Sequence, residues 1–232
     1  MMEPLGSPPG GAGCRWRLLR HGPAGRAWNM AVDEALLRSS STALLRIYEW
    51  EGKAVSIGYF QRWEEVPDDR PFVRRWTGGG LVDHAADVTY TVIVPRSHPV
   101  ACLSTLDVYR LFHAAVRQAL LSVGLTAELA SESGPEPSAR CFARPVRFDV
   151  MAGGKKVAGG AQRRTREGLL HQGSILWPTA ADPSRIAAAL PRGFAETMGA
   201  DLVPDLLSEE ELRLARRLER ERYATDQWNR QR

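Results

Sequence analysis

Cysteine is scarce in this chain. Only Cys14, Cys102 and Cys141 occur among 232 residues. They are odd in number, widely spaced and without a CxxC pair, which excludes a disulfide framework or a zinc site of the usual spacing. No apolar run approaches the ~20 residues that a membrane-crossing helix needs. The opening, MMEPLGSPPGGAGC, has neither the basic start nor the apolar core of a secretory signal. A cytoplasmic protein with no membrane partner is therefore expected. Residues 1–13 read as a disordered lead, because Pro, Gly and Ser bury too little to offset ordering entropy. Internal repeats are absent, and so is a large excess of one charge, the net being +4. The basic residues come in pairs (Arg74–Arg75, Lys155–Lys156, Arg163–Arg164) rather than as a tract, with no nucleic-acid module beside them. An acidic protein partner fits this balance at least as well as nucleic acid.

What is present is an ordinary globular composition, 44% hydrophobic and 25% charged, in a chain long enough to bury a core. Apolar spacing predicts a helix over Asn29–Leu37 and another over Ser104–Val123, capped by Ser104 and ended by Gly124. In the second, Leu106, Tyr109, Phe112, Val116, Ala119, Leu120 and Val123 mark the inward face. Further helices are predicted near Ser184–Leu190 and over Glu209–Tyr223, the latter with Ser208 and Glu211 as a capping box. Strands are read at Leu44–Trp50, Ala54–Tyr59, Phe72–Arg75, Val88–Val94, Val146–Met151, Lys156–Ala158 and Leu169–Trp177. Residues 130–140 form a polar loop. Helices and strands mix without strict alternation, which predicts an α+β domain over 14–232 with mixed sheets flanked by helices.

Two segments carry candidate chemistry. In Arg74–His84, three glycines follow a strand, so the backbone can turn sharply and bring amides near a ligand. Such amides make an anion-binding nest, and Arg74 and Arg75 stand beside it in sequence. A tight hairpin with incidental arginines explains the same residues. The spacing matches neither a P-loop nor a dinucleotide fingerprint. The second segment begins at Cys141, which lies between Arg140 and Arg144; positive neighbours raise the nucleophilic thiolate fraction. Lys156 follows in a glycine-flanked strand, where its ammonium could hold a carbonyl oxygen as charge develops, or relay a proton if its pKa is depressed. A surface lysine pair in a Gly-Gly turn is the plain alternative. Cys14, Cys102, His21, His98 and His113 match no motif, and Trp50, Trp63 and Trp177 read as core or pocket wall.

Taken together these segments resemble the biotin/lipoate protein ligase superfamily. Asn29–Ala35 (NMAVDEA) is similar to its N-terminal signature, Arg74–Tyr90 to RR-TGG-x-x-V-x-H-x-x-x-x-TY, and Lys156–Arg164 to K-V-A-G-x-A-Q-x-R. The tail Tyr223–Asn229 also looks like the end of this family. Within it, the Cys141–Phe142 pair resembles the cysteine-dependent octanoyltransferases of lipoate assembly. The resemblance implies that Cys141 takes octanoyl from acyl carrier protein and passes it to a lysine of a lipoyl-domain protein, such as the glycine-cleavage H protein, with no ATP. It makes Cys141 and Lys156 catalytic, with no metal. By position it makes Arg74, Arg75, Thr77, Gly78, Gly79, Gly80, His84, Gly159, Ala161 and Gln162 substrate-binding. Gly80 stands where octanoyltransferases often have arginine, Asp83 and Ala85 depart from the usual surroundings of His84, and His171-Gln172 inverts a Gln-His pair. A stretch after Trp177 also looks reduced. Two alternatives stay open: a lipoate ligase lacking its accessory domain, using ATP and Mg, or a non-catalytic binder of an acylated carrier.

Overall fold

The computed structural model describes residues 13–67, 70–133, 145–177 and 182–232. In chain order the elements are β1 Cys14–Ala24, α1 Arg26–Ser39, β2 Leu44–Trp50, β3 Val55–Ile57, β4 Phe72–Arg74, β5 Val82–Asp83 and β6 Val88–Pro95. Then come α2 Thr105–Ser122, β7 Glu128–Leu129, β8 Val150–Ala152, β9 Lys155–Arg164 and β10 Gly168–Ile175. The chain closes with α3 Pro183–Met198, β11 Ala200–Pro204, α4 Glu209–Leu218 and α5 Asp226–Asn229. Among the described residues no helix is long and apolar enough to cross a membrane.

The larger sheet runs β11-β1-β2-β6-β10-β9-β8-β7, and a smaller one runs β4-β3-β5. β1 pairs in parallel with both β2 and β11, and the other ladders of the large sheet are antiparallel, so the α+β expectation with mixed sheets holds. Side chains alternate across this sheet. Leu45, Ile47, Tyr90, Val92, Leu169 and Ile175 meet α2 and α3 on one face. Leu44, Tyr48, Ile93 and Leu170 meet α1 and α4 on the other. Because α1 is sandwiched between the sheet and the C-terminal helices, all of Asn29–Leu37 is buried, polar residues included.

Local signals placed several ends well. Ser104 Oγ accepts from the Asp107 amide at 3.1 Å, and the Ser208–Glu211 capping box forms in both directions. Elsewhere the structure corrects the reading. Leu106 is exposed, while Val108, Leu111 and Ala115 complete the buried face of α2. The helix predicted to stop at Leu190 continues through Pro191 to Met198. Proline forfeits one backbone bond there, but packing of Leu190, Phe194 and Met198 offsets the loss, and Gly193 sits tight on α2. Val146–Met151 is a strand only from Val150; before it, Asp149 N bonds back to Val146 O in a turn. Lys156–Ala158 lies within a strand that runs on to Arg164. β1 and β11 were not foreseen, and the helix over Glu209–Tyr223 becomes a π-helical turn after Leu218. Residues 1–12, and residues 134–140 of the polar loop, lie outside the described residues.

Candidate active site

The site lies where α1, the α1-facing side of the large sheet and the small sheet converge. A cavity of about 30 Å³ there is lined by Met30, Tyr48, Trp50, Ser56, Arg75, His84, Gly159, Gly160, Ala161, Gln172 and Ser174, among others. A wider cleft of about 550 Å³ shares Tyr48, Trp50 and His84 as a wall. The two motif segments therefore come together, and the glycine loop meets β9 directly: a Cβ at Gly79 would stand 3.5 Å from that of Ala161.

The adjacent arginines part company, since successive strand residues point to opposite sides. Arg74 turns away from the cavity and is fully buried. It donates to the carbonyls of Gly58, Tyr59, Gln61, Asn229 and Arg232, so it fastens the C-terminal segment to the small sheet. Arg75 does line the cavity, yet its Nη2 donates to the carbonyls of Gly78 and Gly80 at 2.6 and 2.7 Å. It thus holds the loop's carbonyl oxygens, and the two arginines do not stand together beside a nest of amides as expected. Gly78, Gly79 and Gly80 shape the loop and do not line the cavity. Gly79 has φ +84°, and a Cβ on neighbouring Gly58 would lie 2.0 Å from its carbonyl oxygen. Gly58→Ala should therefore force the loop outward, costing about 1–3 kcal/mol of stability. Its effect on activity is expected to exceed its effect on the melting temperature, and paired thermal melts and turnover assays check this.

Thr77 is buried and donates to Gln172 Oε1 at 2.7 Å. Gln172 Nε2 in turn donates to Asp33 Oδ2 at 2.8 Å. Asp33 also receives Arg46 at 2.6 Å, Thr91 at 2.7 Å and Tyr48 at 3.2 Å. This fully buried network is what the NMAVDEA signature builds. Its Asn29 accepts from Arg46, and its Glu34 takes Arg38, Arg222 and Tyr223. Alternation along β10 puts Gln172 on the cavity side. His171 goes to the opposite face, against Tyr90, Tyr109, Phe112 and His113. Burial holds both histidines neutral: His113 is pushed down to about 4, and His171 is lowered well below the usual histidine range, with His113 beside it. Gln162, on β9, does not line the cavity, and neither its amide nitrogen nor its oxygen has a hydrogen-bond partner among the described residues.

The Lys156 side chain is buried as well. Its Nζ is 2.9 Å from Asp149 Oδ2, the two side chains being 4% and 0% exposed. Asp149 Oδ1 accepts from the Tyr109 hydroxyl at 2.6 Å, and Tyr109 accepts from the Gly160 amide at 3.1 Å. A Cβ at Gly159 would stand 2.6 Å from Lys156 Nζ, so glycine lets the ammonium lie against the cavity wall. Phe148, just before Asp149, has φ +72°, uncommon for a bulky residue and a mark of strain held by its surroundings. Cys141 lies outside the described residues. The chain resumes at Pro145, and the next amide, Val146 N, donates to Asp149 Oδ2 at 2.7 Å. The turn Val146–Asp149 is thus anchored to the carboxylate that holds Lys156. Asp149 and Tyr109 were missed in the sequence; only the fold brings α2 to the turn before β8.

The lipoyl protein ligase A/B catalytic domain family matches residues 26–201. The chain belongs to that family. The octanoyltransferase LipM of Brevibacillus brevis is 34% identical, over 93% of this chain and 98% of its own length. The aligned span of 271 positions exceeds the 232 residues here, so that relative carries segments this family member lacks. Among solved structures, the T. acidophilum protein Ta0514 with bound lipoic acid superposes with a TM-score of 0.81 at 28% identity, covering 94% of this chain and 99% of its own. A lipoate-protein ligase A bound with ATP gives 0.80 at 28% identity, covering 93% and 98%. The lipoyl ligase A/B fold thus accounts for nearly all of the described chain. A further cleft of about 430 Å³, between the start of α1 and the C-terminal segment, holds none of the motif residues predicted to bind substrate.

Proposed function

We propose that this protein is an octanoyl or lipoyl transferase of protein lipoylation. It moves a medium-chain acyl group from a carrier-protein thioester, through acyl-Cys141, to a lysine of a lipoyl-domain protein. The observation that carries this reading is the buried Asp149–Lys156 pair, tied on one side to the cavity wall at Gly159 and on the other to Val146, five positions after Cys141 in the sequence. The near full-length similarity to octanoyltransferases supports it.

The chemistry follows from the residues present. A thioester is already activated, so orientation and charge stabilisation suffice and no cofactor is required. The Cys141 thiolate bonds to the acyl carbonyl carbon as the carrier C–S bond breaks, and the carrier thiolate leaves and takes up a proton. The neutral acceptor amine then attacks acyl-Cys141, forming the amide and releasing the thiol. Lys156 faces the oxygen that becomes negative in both steps; Asp149 and Tyr109 hold it there. Arg75 and His84 line the acyl site with Gly159 and Ala161, while Thr77 and the three loop glycines keep its rim in place. At about 30 Å³ the cavity holds little more than a water molecule. An acyl chain must therefore displace Met30, the flexible thioether in its wall, or lie along the wider cleft. Octanoyl-acyl carrier protein as donor and a lipoyl-domain protein such as the glycine-cleavage H protein as acceptor fit this chemistry and the net positive charge.

The structural likeness to a ligase bound with ATP favours a second reading, ATP-dependent ligation of lipoate. The two readings part in one assay with the intact chain and an unmodified lipoyl domain. Octanoyl transfer from carrier protein in the absence of ATP supports the transferase. Lipoate-dependent release of pyrophosphate from ATP, with no ATP-free transfer, would replace it with the ligase.

A further inference from the structure

The transfer chemistry leaves one chain of hydrogen bonds in the cavity without a task. His84 Nδ1 is 2.9 Å from Asp87 Oδ2, and His84 Nε2 is 2.8 Å from Ser56 Oγ. The same carboxylate oxygen accepts from Thr89 Oγ1 at 2.8 Å and from Ser174 Oγ at 2.6 Å, and the Asp87 side chain is fully buried. An ionised carboxylate can only accept, so the proton of a neutral imidazole belongs on Nδ1 and Nε2 is left as an acceptor. Ser56 completes the assignment. Arg75 Nη1 donates to Ser56 Oγ at 3.2 Å, which leaves the serine's own proton for His84. The imidazole lies flat on Trp50, with ring centroids 3.9 Å apart and planes 16° from parallel, and the Trp50 indole is itself fixed by Thr89 at 2.8 Å. Ser56, His84 and Arg75 all face the cavity.

We propose that Ser56, His84 and Asp87 form a second nucleophilic centre that takes the acyl group from a medium-chain thioester and releases it to water. A hydroxyl donating to an imidazole that is oriented by a buried carboxylate is the arrangement that activates serine in hydrolases on unrelated folds. Ser56 Oγ bonds to the acyl carbonyl carbon as the C–S bond breaks. Its proton passes to His84 Nε2 and from there to the departing thiolate. Water, deprotonated at the same nitrogen, then cleaves the oxygen ester, yielding the free fatty acid and restoring the serine hydroxyl. The Arg75 guanidinium, which donates to Ser56 Oγ, sets a positive charge beside the attacking oxygen, where the negative charge of the intermediate develops. This centre needs no Cys141 and no acceptor protein. It amounts to a slow thioesterase that clears the cavity when no lysine arrives.

The test uses the full-length Cys141→Ala protein with octanoyl-coenzyme A, following octanoate and free thiol together. A small alkyl fluorophosphonate serves as an independent probe of the serine. The proposal expects octanoate release at least about tenfold above buffer and phosphonate attached to the peptide containing Ser56. Adding Ser56→Ala should abolish both. Adding Asp87→Asn, which removes the group that holds the His84 tautomer, should bring octanoate release down to the buffer rate and slow the labelling of Ser56 by about 10²–10⁴-fold. Circular dichroism confirms that each variant is folded. A folded Cys141→Ala protein that neither labels at Ser56 nor outpaces buffer overturns the proposal, and so does hydrolysis that persists undiminished in Cys141→Ala/Ser56→Ala. Both results stand apart from the transfer reading, which the native chain reports through Cys141.

Discussion

Replacing Lys156 with methionine is expected to slow acyl transfer about 10²- to 10³-fold, the range found when one preorganised donor to a developing oxyanion is removed. The same change strips the fully buried Asp149 of its counter-charge. Breaking a buried pair from one side costs about 3–5 kcal/mol, so stability should fall together with activity. The double variant Lys156→Met/Asp149→Asn separates the two effects. A neutral amide can still accept the Val146 N–H at its oxygen and donate its NH2 to the Tyr109 oxygen, and with no charge left unpaired the melting temperature should largely recover. Turnover should not. Recovery of both would mean that Lys156 is structural and that the oxyanion is held elsewhere.

Asp33→Ala should be the most destabilising single change in α1. It leaves the Arg46 guanidinium buried without its carboxylate, and it removes an acceptor from Tyr48, Thr91 and Gln172 at once. The expected loss is about 3–5 kcal/mol. In a chain of this length that is a fall in melting temperature of roughly 10 °C. Because Gln172 also receives Thr77, the loss should reach the glycine loop and raise KM for the acyl donor more than the fold alone requires. Asp33→Asn, which keeps an acceptor at the same place, should recover part of the stability. Thermal unfolding and steady-state kinetics on the two variants check this. Equal melting temperatures for Asp33→Ala and the native chain would contradict a stabilising role for this buried network.

How far the sequence could be read depends on how local each cause is. The caps at Ser104 and Ser208 and the β-branched run of β6 act over three or four residues, and they were placed to within one or two. Cys14–Leu18 alternates polar and apolar in a strand-like period, but it follows a Pro- and Gly-rich opening, and its pairing with β2 and β11 is settled only by distant chain. α3 runs through Pro191 because α2 packs against Gly193 and Phe194 beyond it, which no local rule contains. The site divides in the same way. Arg75, His84, Gly159 and Ala161, which the motifs single out, line one cavity. The motifs could not say that Arg74 serves the C-terminal segment. Nor could they show that Tyr109, forty residues before Asp149, orients that carboxylate, since its spacing reads only as a helix face.

The central claim is that Cys141 carries the acyl group while Lys156 and Asp149 serve it. Intact-protein mass after mixing the pure chain with octanoyl-loaded acyl carrier protein, without ATP and alongside Cys141→Ala, tests this most directly. One octanoyl group that neutral hydroxylamine removes, present on the native chain and missing from Cys141→Ala, is the predicted result. A folded native chain that gains no such thioester, or gains it equally in Cys141→Ala, would contradict the account.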